Sequence, residues 1–154
     1  MLDELEQNDI QIVSYGTQIA NWSRKISGDF SKDTEELQRI IPRMQRSNTR
    51  FARIMSYPND GWDIGDWRKE VVRRLKELSR MAEGEGVLLC HENCSGYGNK
   101  SPRAIQELLA EVNSPAFKLI FDTGNFWEDG YDSLEYYKTI APHVVHVHIK
   151  DYEK

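Results

Sequence analysis

Polar side chains that can bind a metal ion follow three apolar runs of the chain. Glu92 follows GVLLCH, Asp122 follows FKLIF, and His148 lies in HVVHVHIKD. Carboxylate oxygens bind hard cations and imidazole nitrogens bind borderline ones, so this set of ligands suits Mn²⁺, Zn²⁺, Co²⁺ or Mg²⁺. Each carboxylate also has a simpler interpretation, since Asp122 could close an Asx turn in DTGN and Glu92 could form a salt bridge with a neighbouring helix. The choice depends on whether the fold brings the three side chains together.

Two histidines and a lysine alternate along the last of these runs. Because side chains alternate along a strand, His146, His148 and Lys150 share one face. Two imidazoles and an ammonium on one face of a Val-rich strand are costly unless they bind something. For His146 the simpler interpretation is a hydrogen-bonded core histidine, and for Lys150 a side chain that reaches water. For His148, nearer the strand end, we favour a metal ligand.

Further candidate residues follow the other runs. Ligand sites of α/β sheets and barrels lie at the carboxyl ends of the strands, because the loops there vary freely. Arg53, in TRFARIMSY, could bind a phosphate or an acid group with two hydrogen bonds, or form a salt bridge inside the sheet. Four aromatic residues could stack on the ring of a ligand or pack over the rim of the sheet. They are Tyr57, Trp62, Trp67 and Trp127.

The elements that must position these residues alternate along the chain. Apolar runs at 9–17, 49–57, 86–92, 117–123 and 143–151 predict strands, and residues 31–47, 66–84, 101–113 and 133–142 have helical patterns. A strand about every 30 residues indicates right-handed βαβ units and a parallel sheet. We find no linker, so residues 1–154 are predicted to form a single domain.

Local signals refine these elements. Ser101 followed by Pro102 is typical of a helix start, whereas Pro42 inside a helical pattern is expected to kink or shorten its helix. The opening MLDELEQN is typical of a helix before the first strand, and KDYEK stops just past the last strand. Both ends therefore resemble cuts in a longer alternating pattern.

Composition narrows the classes of function. The chain has 154 residues, 39% hydrophobic and 29% charged, with a formal net charge of -5. Acidity disfavours nonspecific nucleic-acid binding, which depends on cations that neutralise phosphates. No apolar run approaches the roughly 20 residues that span a bilayer, and the N-terminus does not resemble a signal peptide. Cys90 and Cys94 are expected to be reduced thiols, and we expect a cytoplasmic protein.

The motifs HENCSGYG, LIFDTGN and VVHVHIKD, in this order, resemble those of the xylose-isomerase-like TIM-barrel superfamily, most closely its sugar phosphate isomerase and epimerase families. The resemblance implies an α/β fold, a partial parallel (β/α) barrel with about five of eight βα units, the second to the sixth. It also implies a fourth ligand, a Glu that serves epimerases as partner acid/base, outside this chain.

The same resemblance implies a divalent-metal-dependent isomerase or epimerase of a sugar or sugar phosphate. Glu92, Asp122 and His148 would be the metal ligands. Glu92 would also be the catalytic carboxylate, removing a proton beside the carbonyl to give an enediolate. Asn125 lies where many relatives carry a His. The residues expected to bind substrate are Arg53, Asn93, Asn125, His146 and Lys150.

Two other functions remain open at this point. Apurinic-site endonucleases share the superfamily, and ENCSG followed by DT is similar to their pattern. They cluster more histidines and carboxylates around several zinc ions, whereas this chain has four histidines. A non-catalytic remnant or binding module is the other alternative. If the barrel lacks strands, the first and last runs would be open edges, so we expect either a fragment or self-association.

Overall fold

Five parallel strands lie side by side in the order in which they occur in the sequence. The computed structural model describes residues 2–125 and 132–150. The strands curl into half of a barrel with helices between them, as the alternating pattern predicts. They are β1 (Ser14–Gly16), β2 (Phe51–Ser56), β3 (Leu88–Gly96), β4 (Phe117–Asp122) and β5 (Val144–His148).

The helices lie close to their predicted positions. They are α1 (Leu2–Gln7), α2 (Ser31–Arg46), α3 (Ile64–Glu83), α4 (Pro102–Val112) and α5 (Ser133–Ile140), with 3₁₀ turns at Tyr97–Asn99 and Ala141–His143. The predicted start of α4 is confirmed, because the Ser101 hydroxyl accepts a hydrogen bond from the backbone N–H of Ala104 at 3.1 Å. No helix of the described residues is long and apolar enough to cross a membrane.

One predicted element length is wrong, and one of the two effects considered for Pro42 does not occur. Pro42 does not shorten α2, which continues to Arg46 because Ile41 and Met44 on both sides of the proline are buried in the core. Burial of a large aliphatic side chain contributes about 1.5–3 kcal/mol, comparable with the cost of about 3 kcal/mol of an interior proline.

The first strand is three residues long rather than nine. β1 has β2 as its sheet neighbour on one side alone, and Val13 before it is 57% exposed.

The hydrophobic core lies between the convex face of the sheet and the helices. Alternate residues of the inner strands, such as Ile54, Leu89 and Leu119, contact this core, and they are at most 1% exposed. The residues between them in the sequence face the concave side. Leu89 and His91 are two positions apart in β3 and both face the helices. Glu92 directly follows His91, so it faces the concave side.

The two edges of the sheet are β1 and β5. Val147 of β5 is 45% exposed, as expected for an edge strand. Edge strands present unpaired backbone groups that favour association with another chain. Self-association through these edges remains a prediction, and sedimentation velocity across a concentration series tests it.

Candidate metal centre

The three predicted metal ligands meet at the carboxyl ends of neighbouring strands. Glu92 lies in β3, Asp122 ends β4, and His148 ends β5, where it is the direct neighbour of Asp122 in the ladder. One ligand atom of each residue lies within 4.8 Å of the others. Glu92 and Asp122 are buried, and His148 is half-buried, so the group is reached from solvent past the imidazole. The parallel topology thus brings together side chains separated by as many as 56 residues.

Each carboxylate oxygen of Glu92 has its own neighbour. Oε1 lies 2.9 Å from Nδ1 of His148, and Oε2 accepts a hydrogen bond from Nη1 of Arg53 at 3.4 Å. The salt bridge considered for Arg53 is therefore present, and its partner is the predicted catalytic residue. Arg53 also donates from Nη2 to the backbone carbonyl of Thr17 at 3.4 Å, which ties the guanidinium to the end of β1.

Asp122 forms the Asx turn considered for it and keeps one carboxylate oxygen outside that turn. Its Oδ1 accepts hydrogen bonds from the backbone N–H groups of Gly124 and Asn125 at 3.0 and 3.1 Å, which is the Asx turn. Its Oδ2 points the other way, 2.9 Å from Nζ of Lys150 and 3.7 Å from Nδ1 of His148. The turn therefore orients the carboxylate and leaves one oxygen for a cation.

The remaining predicted residues surround this group. Nζ of Lys150 donates to Oδ1 of Asn125 at 2.7 Å, and its contact with the Asp122 carboxylate raises the pKa of Lys150. His146 lies one layer deeper, with its ring 5.2 Å from that of His148 and 6.1 Å from that of Phe51. Burial and the neighbouring His148 lower the pKa of His146, which favours its neutral form.

Asn93 is almost fully buried beside these ligands, with 1% of its surface exposed. Its Oδ1 accepts a hydrogen bond from the backbone N–H of Asp122 at 2.7 Å, and its Nδ2 donates to the backbone carbonyl of Asp122 at 3.0 Å. The side-chain amide is thus bonded at both ends to one backbone unit. Sequence reasoning placed Asn93 in the site without anticipating this pairing.

The donor set fits a divalent cation. Two carboxylate oxygens and one imidazole nitrogen converge, and three protein ligands with open positions are typical of catalytic metal sites. Two neighbouring buried carboxylates repel each other unless positive charge compensates them. Surface cavities between α3 and α4, beside α1 and before α2 have no lining residue in common with this group. The candidate centre lies on the concave side of the sheet, the side that Glu92 faces.

The aromatic residues and the cysteines singled out from the sequence mainly have structural roles. The indole N–H of Trp67 donates to the carbonyl of Tyr57 at 2.9 Å, and both residues are buried, consistent with packing over the rim. Trp62 is 38% exposed. Trp127 lies outside the described residues. Cys90 and Cys94 are free thiols, as expected, and burial raises the pKa of Cys90 to about 12.

The contacts behind β3 were not predicted from the sequence. His91 is fully buried, with Nε2 2.9 Å from the hydroxyl of Ser56, and that hydroxyl accepts a hydrogen bond from the N–H of Gly98 at 2.8 Å. Burial lowers the pKa of His91 to about 4, so the ring is neutral near pH 7. Side chains alternate along a strand, so the sequence already indicated that His91 points to the opposite face of β3 from Glu92.

The chain belongs to the family described as xylose isomerase-like TIM barrel, whose model matches residues 1–154. This confirms the family inferred from the three motifs.

Two curated relatives show how much of a longer protein is present. Inosose dehydratase 1 of Bacillus cereus is 29% identical over 86 residues, 56% of this chain and 28% of that protein. Inosose dehydratase of Mesomycoplasma hyopneumoniae is 25% identical over 170 residues, 100% of this chain and 54% of that protein. This chain therefore spans about half the length of the Mesomycoplasma relative.

Solved structures share the fold at lower identity. The probable 3-DHS dehydratase AsbF from Bacillus anthracis has a TM-score of 0.84 at 20% identity, covering 99% of this chain and 55% of that one. D-allulose 3-epimerase from Methylomonas sp., solved with D-allulose, has a TM-score of 0.77 at 17% identity, covering 97% and 55%. A xylose isomerase-like TIM barrel protein from Mycobacterium smegmatis, solved with magnesium, has a TM-score of 0.73 at 18% identity, covering 97% and 54%.

Proposed function

We propose that this chain carries the metal-binding part of an isomerase or epimerase that acts on a small sugar or sugar phosphate. The observation that best supports the proposal is the convergence of Glu92, Asp122 and His148 within 4.8 Å at three neighbouring strand ends. Enzymes with (β/α) barrels carry their active sites at this end of the strands. The epimerase and magnesium-bound structures among the fold neighbours are consistent with this chemistry.

Glu92, Asp122 and His148 would hold a divalent cation. When bound, such an ion polarises the substrate carbonyl and stabilises negative charge on its oxygen. Mg²⁺ is the ion of one fold neighbour, and the ligand types also suit Mn²⁺, Zn²⁺ and Co²⁺. In this arrangement Lys150 would have to leave Asp122 Oδ2 to make room for the ion.

Glu92 is our candidate for the group that moves the proton. Its Oε1 is shared with His148, so we assign Oε2, on the Arg53 side, to proton transfer. Oε2 accepts a proton from the carbon beside the carbonyl, whose electrons shift to give an enediolate. Return of the proton to the former carbonyl carbon, with transfer of a hydroxyl proton to the other oxygen, completes an isomerisation. The Arg53 guanidinium stabilises the Glu92 carboxylate before it accepts the proton and again once the proton has been returned.

Lys150, Asn125 and His146 are proposed to bind the substrate. Lys150 and Asn125 form a hydrogen-bonded pair on the exposed side of the centre, where an ammonium and an amide can bind hydroxyl or phosphate oxygens. His146 forms the deeper wall next to Phe51, where a neutral ring can contact the carbon skeleton of a sugar.

Dehydration of a cyclic keto sugar is a second candidate, favoured by the two relatives named inosose dehydratase. It begins with the same removal of a proton beside a ketone. The hydroxyl on the next carbon then leaves as water, taking a proton from an acid. The Lys150 ammonium is our candidate donor because it lies beside the centre and carries a proton at neutral pH.

Metal titration tests the site. Isothermal titration with Mn²⁺ and Mg²⁺ should show one site in the wild-type chain. In Asp122→Asn the affinity should fall at least tenfold, because a neutral amide replaces a charged ligand. Asp66→Asn on the exposed face of α3 is the matched control and should bind as the wild type does. Equal affinity in Asp122→Asn and Asp66→Asn would refute the site.

Deuterium exchange tests the chemistry. With metal in D₂O, ketoses such as D-allulose and a keto-inositol should gain deuterium beside the carbonyl, followed by NMR. Glu92→Gln should lose this exchange, because an amide cannot accept the proton. Exchange that persists at the wild-type rate in Glu92→Gln would exclude this residue as the base. Appearance of an unsaturated ketone instead of an isomer would favour the dehydratase.

A further inference from the structure

The main chain of β3 separates from β2 after His91 and from β4 after Glu92. Its ladder with β4 pairs Leu89 with Phe117 and ends at the pair Glu92–Ile120. On the other side, β2 advances two residues, from Ile54 to Ser56, while β3 advances five, from His91 to Gly96. Residues 92–95 therefore form a bulge, a feature that is frequent beside active sites because it changes the direction of a side chain.

Because of this bulge, the backbone hydrogen bonds that β3 would make with Asp122 of β4 are missing from the ladder. In a regular parallel pair, the residue two positions after Ile120 would bond to the backbone near position 94. Instead, the Asn93 amide accepts from the N–H of Asp122 at 2.7 Å and donates to its carbonyl at 3.0 Å. A side-chain amide has the same donor and acceptor groups as a peptide unit, so it can replace those hydrogen bonds.

We propose that Asn93 is a positioning residue that sets the distance between the two carboxylate ligands by replacing a peptide group of β3. This inference rests on the proposed metal centre only for its functional consequence. Glu92 directly precedes Asn93 in the chain, and the side chain of Asn93 holds the backbone of Asp122. Asn93 therefore connects both carboxylate ligands. The contact is rigid because Asn93 is 1% exposed and its amide is bonded at both ends.

The expected consequence is a loss of alignment rather than a loss of a ligand. In Asn93→Leu, which has a similar volume, the N–H and carbonyl of Asp122 lose their partners, and the end of β4 is free to move relative to Glu92. Affinity for Mn²⁺ should fall about tenfold, as for other residues that orient metal ligands without binding the ion. The ligands themselves remain unchanged.

Two measurements on the metal-free and metal-bound protein test this inference. Hydrogen exchange of the Asp122 amide, followed by NMR without metal, should be at least tenfold faster in Asn93→Leu. In Asn93→Asp the carboxylate keeps the acceptor, so this amide should stay protected while the carbonyl bond is lost. Mn²⁺ affinity is then measured by titration in the same variants.

Thr49→Val is the matched control. Thr49 is buried and donates to the carbonyl of Ile12 at 2.9 Å, at the opposite end of the sheet from the centre. It should lower overall stability without changing either the Asp122 exchange or the Mn²⁺ affinity. Unchanged Asp122 exchange in Asn93→Leu, or equal losses of Mn²⁺ affinity in Asn93→Leu and Thr49→Val, would overturn the inference.

The result separates this inference from the proposed function. If the wild-type chain binds no Mn²⁺ but Asn93→Leu frees the Asp122 amide, the metal centre is wrong and the backbone replacement is right. If Mn²⁺ binds and Asp122 exchange is the same in both proteins, the metal centre stands and the role of Asn93 is refuted.

Discussion

Gly96 makes the turn after the bulge possible, and replacing it tests how strongly the loop depends on it. Its backbone has φ 88° and ψ -165°, a region that is essentially restricted to glycine. A Cβ at this position would overlap the carbonyl group of Ser56 and lie 2.8 Å from its hydroxyl oxygen. Ser56 belongs to β2 and its hydroxyl accepts from Gly98, so the clash cannot be relieved by turning a side chain.

The cost of Gly96→Ala can be separated into two parts. The backbone conformation costs about 1–3 kcal/mol for a residue with a side chain. Insertion of a methyl group into a filled space adds about 1–3 kcal/mol. The free energy of unfolding should therefore fall by roughly 2–6 kcal/mol, and the end of β3 should shift with the loop.

Two other glycines provide matched controls. Gly86 also has a positive φ, 71°, but nothing lies within 4 Å of an added Cβ, so Gly86→Ala should cost about 1–2 kcal/mol through the backbone alone. Gly84 has φ -75° and the same open space, so Gly84→Ala should be neutral or stabilising by about 0.4–1 kcal/mol. Urea unfolding of the three variants measures the series. A cost for Gly96→Ala no larger than that for Gly86→Ala would refute the steric argument.

Two further predictions concern the neighbours of the centre. Burial holds the pKa of His91 at about 4, below its ordinary 6.5, so its contribution to stability is complete above about pH 6.5 and is lost as the pH falls towards 4. The loss is at most about 3 kcal/mol. Urea unfolding at pH 7.5 and at pH 5 measures it. Between these two pH values the free energy of unfolding should decrease less for His91→Gln, which does not titrate, than for the wild type. An equal decrease in both proteins would contradict this. Lys150→Met should strengthen Mn²⁺ binding a few-fold, because the half-exposed ammonium no longer competes with the ion for Asp122 Oδ2. The effect should be small, because a half-exposed ion pair contributes about 1 kcal/mol or less. Lys69→Met on α3 is the control, and a weaker affinity in Lys150→Met would show that the lysine supports the metal site.

The meeting of the three candidate ligands could be predicted because parallel strands end at a common edge. Glu92, Asp122 and His148 each follow an apolar run, and the βαβ topology fixes which ends become neighbours. Periodicity also predicted α3 and α4 within two residues at each end. These features depend on local patterns repeated along the chain.

The details of the centre depend on contacts between distant residues, which periodicity does not encode. The bulge after Glu92 requires Gly96 to pack against Ser56, and the amide of Asn93 has a partner 29 residues away. The helix is not shortened at Pro42, because local propensity is weaker than the packing of Ile41 and Met44. The three-residue length of β1 was not predicted, because the apolar run 9–17 does not indicate which of its residues pair with β2.

Neighbours in the sheet are also neighbours in the sequence, and this order affects how the protein forms. During synthesis, β1, β2 and β3 emerge and can pair before Asp122 and His148 exist. The candidate centre is complete only when β5, the last described strand, joins β4. Metal affinity would therefore report the docking of β5 on β4, whereas probes of β1 to β3 would respond earlier. A pulse of metal during refolding would mark the step at which β5 joins β4.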